Sequence, residues 1–498
     1  MSNLSELLPT GGGQNAVDFV ASGTLGNGVT VALKADGTVE AVAESTLNPT
    51  VPVGSTQNFV TVASQYYNIA ADPNNTNRWA IVWTDDIGNK YVQIRIITRS
   101  GTTLTMSSIS NVNTNGNASL PVVSWDKSTS GTLLVCYNES SKKARACTVS
   151  GSAGSETFTY GSELIIGSGS LYSPKLSSLG TTGNYLLTYD KASPNYMYGV
   201  VLSVSGTAVT KGTETVIASR GMAGLGLTSH AVDITDSSKA LAVWLDLAAN
   251  DYIYAASLTI SGTSISVAGV SSISGTTRYK TDTGLAATFA DSTGKYVVLG
   301  KDRTNNDGYA FVVTDSGGSY SSGTRVAFLV GTVNSYSISN NLNDSDNFVV
   351  AYSNSTSFDG YSTIGTISGT SITFSTAIAI DSTYNSRFYL EVSQQNDSLG
   401  HYMTVYEPSA FTDGYATMGY KGGSLTNASD FIGITAEAIS DTATGAVNVY
   451  GGINEAQSGL TIGSDYYVQD DGSVSTTASA VKIGQAISAT TINMMDLT

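Results

Sequence analysis

The chain alternates apolar and polar residues in short runs, and one such run recurs along most of its length. The recurring element is a strand of apolar residues that ends in an aromatic residue. A further copy, YVVLG, ends at Gly300 without an aromatic residue. The differences between successive end positions are 54, 52, 55, 56, 52 and 54 residues. The six aromatic end positions, here called the anchors, are Trp83, Tyr137, Tyr189, Trp244, Tyr352 and Tyr406.

Each anchor is followed by a second signature. About nine residues later comes a strand that carries a tyrosine, as at Tyr198, Tyr254, Tyr309, Tyr361 and Tyr415. The last three tyrosines follow Asp-Gly, a pair that tolerates the positive φ of a tight connection. A Ser-Gly-Thr turn and a more polar strand complete the unit, and its glycine is Gly206, Gly262 or Gly369.

A weaker strand precedes each anchor strand, such as YYNIAAD at 66–72. One unit therefore reads as four antiparallel strands in about fifty residues, which is typical of a propeller blade. Seven units predict an all-β chain with a seven-bladed β-propeller, in which the anchors pack between blades. An open solenoid is the rival architecture, but the units lack helical periodicity and distinct capping repeats. The predicted blades lie near 60–113, 117–168, 171–220, 225–275, 279–331, 333–382 and 385–427.

The two ends of the chain depart from the blade pattern. Residues 18–45 predict short hairpins, and 430–495 are again strands and turns. We expect 1–59 and 428–498 to form two halves of one small β-sandwich or barrel-like domain, with 60–427 inserted between them. Insertion is feasible because the first and last blades of a closed ring are neighbours. The leader MSNLSELLPTGGGQN is either an arm that grips a partner or a disordered tail.

Composition excludes several classes of function. The formal charge is −16 and no run of Lys or Arg exceeds two residues, so a nucleic-acid partner is not expected. A cleaved secretory signal is not expected, because MSNLSELLPT lacks a basic and an apolar region, and membrane insertion is not expected, because no stretch of 18 apolar residues occurs. Charged residues make up 12% of the chain while Gly (52) and Tyr (28) are abundant, which suits pleated strands and turns.

Candidate chemistry is sparse. His230 and His401 fall in different blades, so both are expected to be packing or strand-end residues. Cys136 and Cys147 are expected to be buried thiols; the alternative is a cross-strand disulfide. Asp344 and Asp346 are expected in a solvated turn; the alternative is a calcium site.

No cofactor and no metal site are predicted. A sialidase or other propeller glycosidase needs clustered arginines and paired acids. The arginines of this chain are instead scattered along the sequence, as at Arg145, Arg220, Arg278, Arg303, Arg325 and Arg387. The chain is therefore not expected to be an enzyme, with a glycan hydrolase as the alternative.

The hairpin IGTISGTSITFSTA at 364–377 resembles propeller repeats of virion structural proteins from tailed bacteriophages, marine cyanophages especially. LLPTGGGQNAVDFVASGTLGNGVTVALKADGTV resembles the opening of such structural and tail-fibre-like proteins. GLTIGSDYYVQDDGSVSTT, with Gly459, Tyr466 and Tyr467, resembles a small C-terminal β module that accompanies them. The resemblance implies a virion component without catalytic residues, and the low cysteine content favours assembly in the reducing cytoplasm of the host.

We therefore expect a tail or particle appendage, anchored by its terminal domain, whose propeller contacts a host-surface glycan or protein. A purely structural capsid or tail decoration is the alternative. Other virion proteins are the expected partners, and symmetry of such appendages favours a homo-oligomer. Tyrosine suits sugar contact because it offers a flat apolar face and a hydroxyl. The candidate exposed tyrosines are Tyr66, Tyr67, Tyr172 and Tyr196.

Overall fold

The structure is a computed structural model that describes residues 15–34, 36–43, 51, 56–180, 182–192, 195–219, 227–246, 251–280, 284–291, 294–341, 344–355, 359–381, 386–397, 400–408, 413–421, 428–469 and 472–495. Apart from the 3-10 helix Ala428–Asp430, the regular elements in these ranges are strands, which confirms the all-β class. None of the described elements is a helix long and apolar enough to cross a lipid bilayer. The chain divides into two compact units, 48–422 and 1–47 with 423–498.

In its described residues, the larger unit contains seven antiparallel sheets with a common strand order. Three successive strands pair in turn, and one or two short outer strands pair with the third. The strands of sheets 1 to 3 are Ser64–Ala71, Arg78–Asp85, Val92–Ser100, Thr103–Met106 and Ser110–Asn111; Ser119–Trp125, Thr132–Asn138, Ser141–Ser150, Thr157–Tyr160 and Leu164–Ser168; Tyr172–Leu179, Asn184–Ala192, Asn195–Ser205, Ala208–Lys211 and Thr215–Ala218.

The remaining sheets follow the same order. The strands of sheets 4 to 7 are Thr228–Val232, Lys239–Asp246, Tyr252–Ser261 and Ser264–Ser272; Ala286–Asp291, Lys295–Lys301, Gly308–Asp315, Tyr320–Ser322 and Val326–Leu329; Val333–Asn341, Asp344–Asn354, Gly360–Ser368, Ser371–Phe374 and Ile378–Asp381; Ser386–Gln394, His401–Pro408, Gly414–Tyr420 and Thr56–Val60. The first strand of each sheet lies against the first strand of the next sheet, and that of sheet 7 lies against that of sheet 1.

Sheet 7 is completed from the beginning of the unit. Thr56–Val60 pairs with Gly414–Tyr420 as the outer strand. The sequence-based boundary between 59 and 60 is therefore wrong, because it separates this strand from the sheet that it finishes. The physical reason is that the third strand of sheet 7 needs a backbone partner, and the segment after Tyr420 offers no Ser-Gly-Thr hairpin to supply one.

The anchors form the core between sheets, as predicted. Each anchor side chain has at most 4% of its surface exposed. Four anchors stack on the tyrosine directly opposite on the third strand, with ring centroids 5.6–6.1 Å apart. Cross-strand aromatic pairs of this kind stabilise a sheet beyond simple burial. The pairs are Tyr189–Tyr198, Trp244–Tyr254, Tyr352–Tyr361 and Tyr406–Tyr415.

The Ser-Gly-Thr turns have a structural role. Gly206 has φ +62° and opens a two-residue turn between the paired residues Ser205 and Ala208. The threonine after this glycine meets the preceding sheet: a Cβ on Gly161 would lie 1.9 Å from the carbonyl oxygen of Thr207. Likewise, a Cβ on Gly212 would lie 2.1 Å from the carbonyl oxygen of Thr263, and one on Gly323 would lie 2.0 Å from that of Thr370.

The Asp-Gly pairs have another role than the one predicted. Gly308 and Gly414 each begin a third strand without a positive φ, whereas Asn306 has φ +67°. A Cβ on Gly308 would lie 2.3 Å from the ring of Phe328, and one on Gly414 would lie 2.5 Å from the ring of Phe59. The expectation of a strained turn glycine is therefore wrong at these two positions. Glycine is needed there because an outer-strand phenylalanine packs against the backbone.

The smaller unit combines both chain ends in one sheet. Its strand order is Ala16–Val20, Thr444–Val449, Phe431–Thr435, Thr30–Leu33 and Val39–Ala41. A second sheet has the order Ile453–Asn454, Ile492–Asn493, Lys482–Ala486, Asp465–Val468 and Val474–Ser475. Tyr466 is buried and belongs to an apolar cluster of this unit.

Candidate functional site: the central channel

The first strands of the seven sheets enclose a channel in the larger unit. Two cavities lie along it, of about 340 Å³ and about 220 Å³, and residues from every sheet line both. Asn68, Lys175 and Glu391 contribute to both cavities, so they lie between the two. We name the larger cavity the tyrosine chamber and the smaller one the histidine chamber.

The tyrosine chamber is formed where the first strands begin. Its wall includes Tyr66, Tyr67 and Tyr336, together with prolines and leucines. The hydroxyl of Tyr67 donates to the carbonyl of Asp413, while the hydroxyl of Tyr336 donates to that of Gly284. Apolar rings with fixed hydroxyls suit a ligand that is itself part apolar and part polar.

The backbone of this chamber is strained in three neighbouring sheets. Tyr66, Leu120 and Ser173 have φ of +58°, +51° and +47°. Each lies at a register shift in the first strand of its sheet. A β-bulge turns side chains away from their regular direction, and its repetition in sheets 1 to 3 shapes one side of the chamber.

The histidine chamber contains a Ser–His contact. His230 is 1% exposed, and its ring nitrogens share hydrogen bonds with Thr188 Oγ1 at 2.7 Å and Ser177 Oγ at 3.0 Å. Burial, assisted by the charge of Lys175, lowers the pKa of His230 to about 3. A general base works best with a pKa near the working pH, and here a hydroxyl stands where a carboxylate would orient the ring. His230 is thus a neutral packing residue.

A cation and an acid face the channel between the chambers. Burial raises the pKa of Glu391, and the charge of Lys175 and the hydroxyl of Ser337 oppose that shift. Ser337 Oγ donates to Glu391 Oε2 at 2.7 Å. Sequence reasoning missed both residues. The sequence signal that could have identified them was a charged residue in the middle of a weak strand: Lys175 in YSPKLSSL and Glu391 in SRFYLEVSQ.

The structure brings together only part of the predicted aromatic set. Tyr66 and Tyr67 lie together on the tyrosine chamber. Tyr67 is 4% exposed, so it is a wall residue. Tyr172 is half-buried at the start of a first strand, whereas Tyr196 is half-buried on a third strand near Tyr198, with ring centroids 6.5 Å apart.

His401 joins sheets 7 and 1 outside the chambers. Its Nδ1 is 2.5 Å from Asp397 Oδ2, and Arg99 Nη1 is 3.2 Å from its Nε2. Arg99 also donates to Asn77 Oδ1 at 2.6 Å. Although burial opposes it, hydrogen bonds from the side chain and backbone of His401 lower the pKa of Asp397. The cluster holds the two ends of the ring together, which agrees with the predicted packing role.

The cysteines are free thiols, as expected. Cys136 lies opposite Ala144 and Cys147 opposite Leu133, and the two belong to apolar clusters on opposite sides of sheet 2. Burial raises the pKa of both thiols, that of Cys147 to about 12.

Where the structure describes them, the arginines that the sequence singled out are held by ion pairs or by backbone carbonyls. Asp346 is exposed, and the side chain of Asp344 lies outside the described set. No group of three His, Cys, Asp or Glu side chains suited to a metal occurs in the part of the chain that the structure describes. Arg145 donates to the carbonyls of Gly161 and Val112, and Arg325 pairs with Asp302. Arg278 and Arg303 share Asp251, while Arg220 and the side chain of Arg387 lie outside the described set.

Comparison with known proteins identifies similar solved structures. No family model matches the chain, and no curated protein matches it. The structure of BP39L lectin from Burkholderia pseudomallei is similar, with 10% identity, TM-score 0.55, and coverage of 73% of this chain and 97% of that one.

Two further neighbours have lower scores. Sqt1 from Chaetomium thermophilum has 10% identity and TM-score 0.44 over 73% of this chain and 98% of that one. Aleuria aurantia lectin has 16% identity and TM-score 0.38 over 64% and 95%. The likeness to the Burkholderia lectin confirms the β-propeller class. The count of seven blades and the insertion of the propeller stay predictions.

Proposed function

We propose that the chain is a non-enzymatic binding protein whose larger unit is a seven-bladed propeller that takes its ligand in the central channel. The observation that carries this proposal is the chemistry of the channel wall. Its histidine is a buried neutral group with a pKa lowered to about 3, and its other polar groups are hydroxyls, amides, Lys127, Lys175 and Glu391. Such a wall can hold and orient a ligand, and its histidine does not serve as a general base at neutral pH.

A glycan is the ligand class that fits this wall best. Tyrosine rings pack on the apolar face of a sugar, and neighbouring hydroxyls and amides exchange hydrogen bonds with its hydroxyls. The tyrosine chamber, at about 340 Å³, is at the lower end of the range of ligand pockets. The Burkholderia neighbour is a lectin, and at 10% identity it supports the fold alone, so the glycan rests on the channel chemistry.

The setting that we propose is a bacteriophage particle. The smaller unit, built from both chain ends, attaches the protein to other virion proteins, and the inserted propeller is displayed toward the host surface. Support comes from the resemblance of the hairpin at 364–377 and of the terminal segments to virion proteins. A purely structural decoration is the competing role.

A binding experiment separates these roles. The purified chain is applied to a glycan array and to intact host cells, beside a Tyr66→Ala variant and the control Val330→Ala, a side chain 82% exposed. Binding that weakens in Tyr66→Ala and persists in Val330→Ala supports the channel. Binding that Tyr66→Ala leaves unchanged contradicts it. Gold-labelled antibody against the chain, imaged on whole particles, tests the virion setting: unlabelled particles contradict it.

A further inference from the structure

Three lysines meet in a cleft between sheets 2 and 3, away from the channel. Lys142 comes from the third strand of sheet 2, Lys191 from the second strand of sheet 3, and Lys211 from an outer strand of sheet 3. Glu214 is the carboxylate that pairs with two of them: its Oε1 is 3.5 Å from Lys142 Nζ and its Oε2 is 2.5 Å from Lys191 Nζ. We name this group the lysine cleft.

The charges of the lysine cleft are unbalanced. The side chain of Lys142 is fully buried and that of Lys191 is 21% exposed. Lys211 donates to the carbonyl of Ile166 at 2.5 Å, and its charge acts on Lys142. Burial, followed by the charge of Lys142, lowers the pKa of Lys191 to about 8. Like charges brought together out of water destabilise one another unless an anion joins them.

Lys143, the next residue on the strand of Lys142, has its charge balanced by carboxylates. Lys143 points to the other side of sheet 2, where it pairs with Glu139 and with Glu163, the latter at 2.8 Å. One lysine there has two carboxylates, whereas in the lysine cleft one carboxylate pairs with two lysines beside a third. The chain as a whole has a formal charge of −16, so this local excess of positive charge is not part of a generally positive surface.

Aromatic rings line the same cleft. The Nζ of Lys142 lies 4.7 Å from the ring centroid of Tyr189, and the Nζ of Lys191 lies 3.8 Å from that of Tyr198. Tyr196 is half-buried beside Tyr198 and offers a partly open face. The rings hold the ammonium groups in place, and the open face can take an apolar surface of a ligand.

We propose that the lysine cleft binds the anionic group of an acidic glycan, a carboxylate or a sulfate, with the adjoining sugar ring packed on Tyr196. Lysines act as point charges and do not impose the two-pronged geometry of arginine, so either oxyanion fits. This inference rests on the proposed glycan-binding function and adds a second site with its own ligand class.

The test compares wild type with a Lys191→Gln/Lys211→Gln variant on uronate-bearing, sulfated and neutral oligosaccharides. The control Lys239→Gln removes a positive charge whose side chain is 59% exposed on sheet 4. We expect acidic oligosaccharides to bind wild type and the control equally and the double variant about tenfold more weakly, the loss expected for a charge-assisted contact. Uronate and sulfate arms tell which oxyanion is preferred.

Two further readouts keep the test decisive. Tyr196→Ala retains every lysine and should also weaken acidic oligosaccharides, and thermal melts report whether each variant folds. Equal binding of acidic oligosaccharides by wild type and by both folded variants overturns the lysine cleft. If neutral oligosaccharides bind wild type and acidic ones do not, the cleft proposal fails while glycan binding stands. If no oligosaccharide binds, both fail.

Discussion

The ring of Tyr279 occupies the space that a side chain at Gly300 would need. A Cβ on Gly300 would lie 2.5 Å from Cδ1 of Tyr279, whose side chain is 1% exposed. Gly300 holds the place where the other sheets have an anchor, so sheet 5 fills the anchor position from the segment that precedes its first strand. The aromatic volume between sheets is kept although its position in the sequence has moved.

This relationship predicts a specific rescue. Gly300→Ala should lower the free energy of unfolding by about 1–3 kcal/mol because the ring of Tyr279 has to move. Tyr279→Ala should cost about 3–5 kcal/mol by leaving a cavity. Gly300→Trp combined with Tyr279→Ala should recover part of that loss in denaturant unfolding. A double variant no more stable than Tyr279→Ala would show that the two positions do not share one space.

Removal of an anchor should destabilise strongly. Trp244 is fully buried and stacks on Tyr254 at 6.0 Å, so Trp244→Ala should cost about 3–5 kcal/mol. Val330→Ala, at a side chain 82% exposed, is the control and should leave the melting temperature unchanged. A Trp244→Ala melt that coincides with wild type would contradict an anchor role.

Pairing of the outer strand Thr56–Val60 with sheet 7 should depend on Phe59 and Arg95. Phe59 is fully buried against Trp83, with ring centroids 5.3 Å apart, and Arg95 Nη1 donates to its carbonyl at 2.7 Å. Phe59→Ala should cost about 3–5 kcal/mol. It should also speed amide hydrogen exchange in 414–420 before other third strands. Uniform exchange across all third strands would argue against an independent closure.

Two buried acids predict a loss of stability as the pH rises. Burial raises the pKa of Asp190 to about 7 and, with the charge of Asp86, that of Glu407 to about 8. The folded state therefore holds more protons than the unfolded state above about pH 4, so their contribution is complete below that pH and is lost toward pH 7–8. Asp190→Asn and Glu407→Gln should flatten the decline in melting temperature. The control is Asp346→Asn, at an exposed side chain.

The two thiols should resist modification in the folded protein. Cys136 and Cys147 are fully buried with raised pKa values, so neither presents a thiolate. Alkylation without reductant should label none before unfolding and two after it, as counted by intact mass. A labelled count below two in denaturant would indicate a disulfide and contradict the structure.

Strand periodicity predicted the anchors because their burial depends on local alternation. It also located the opposing tyrosines, since antiparallel pairing places them at a fixed offset. The origin of the last outer strand was not predictable in this way, because Thr56–Val60 and Gly414–Tyr420 are joined only by long-range pairing. The channel pair Lys175 and Glu391 was missed for the same reason: its meaning depends on two strands that are distant in sequence.

Completion of sheet 7 by Thr56–Val60 has a consequence for synthesis. During synthesis, this strand leaves the ribosome about 350 residues before the strand with which it pairs. Its backbone edge is therefore open to other strands until residue 414 has emerged. The main sheet of the smaller unit can form only later, when Phe431–Thr435 and Thr444–Val449 have also emerged. A chain interrupted before residue 414 can finish neither unit, and one interrupted before residue 431 cannot finish the smaller unit, so incomplete products expose unpaired strand edges to proteases.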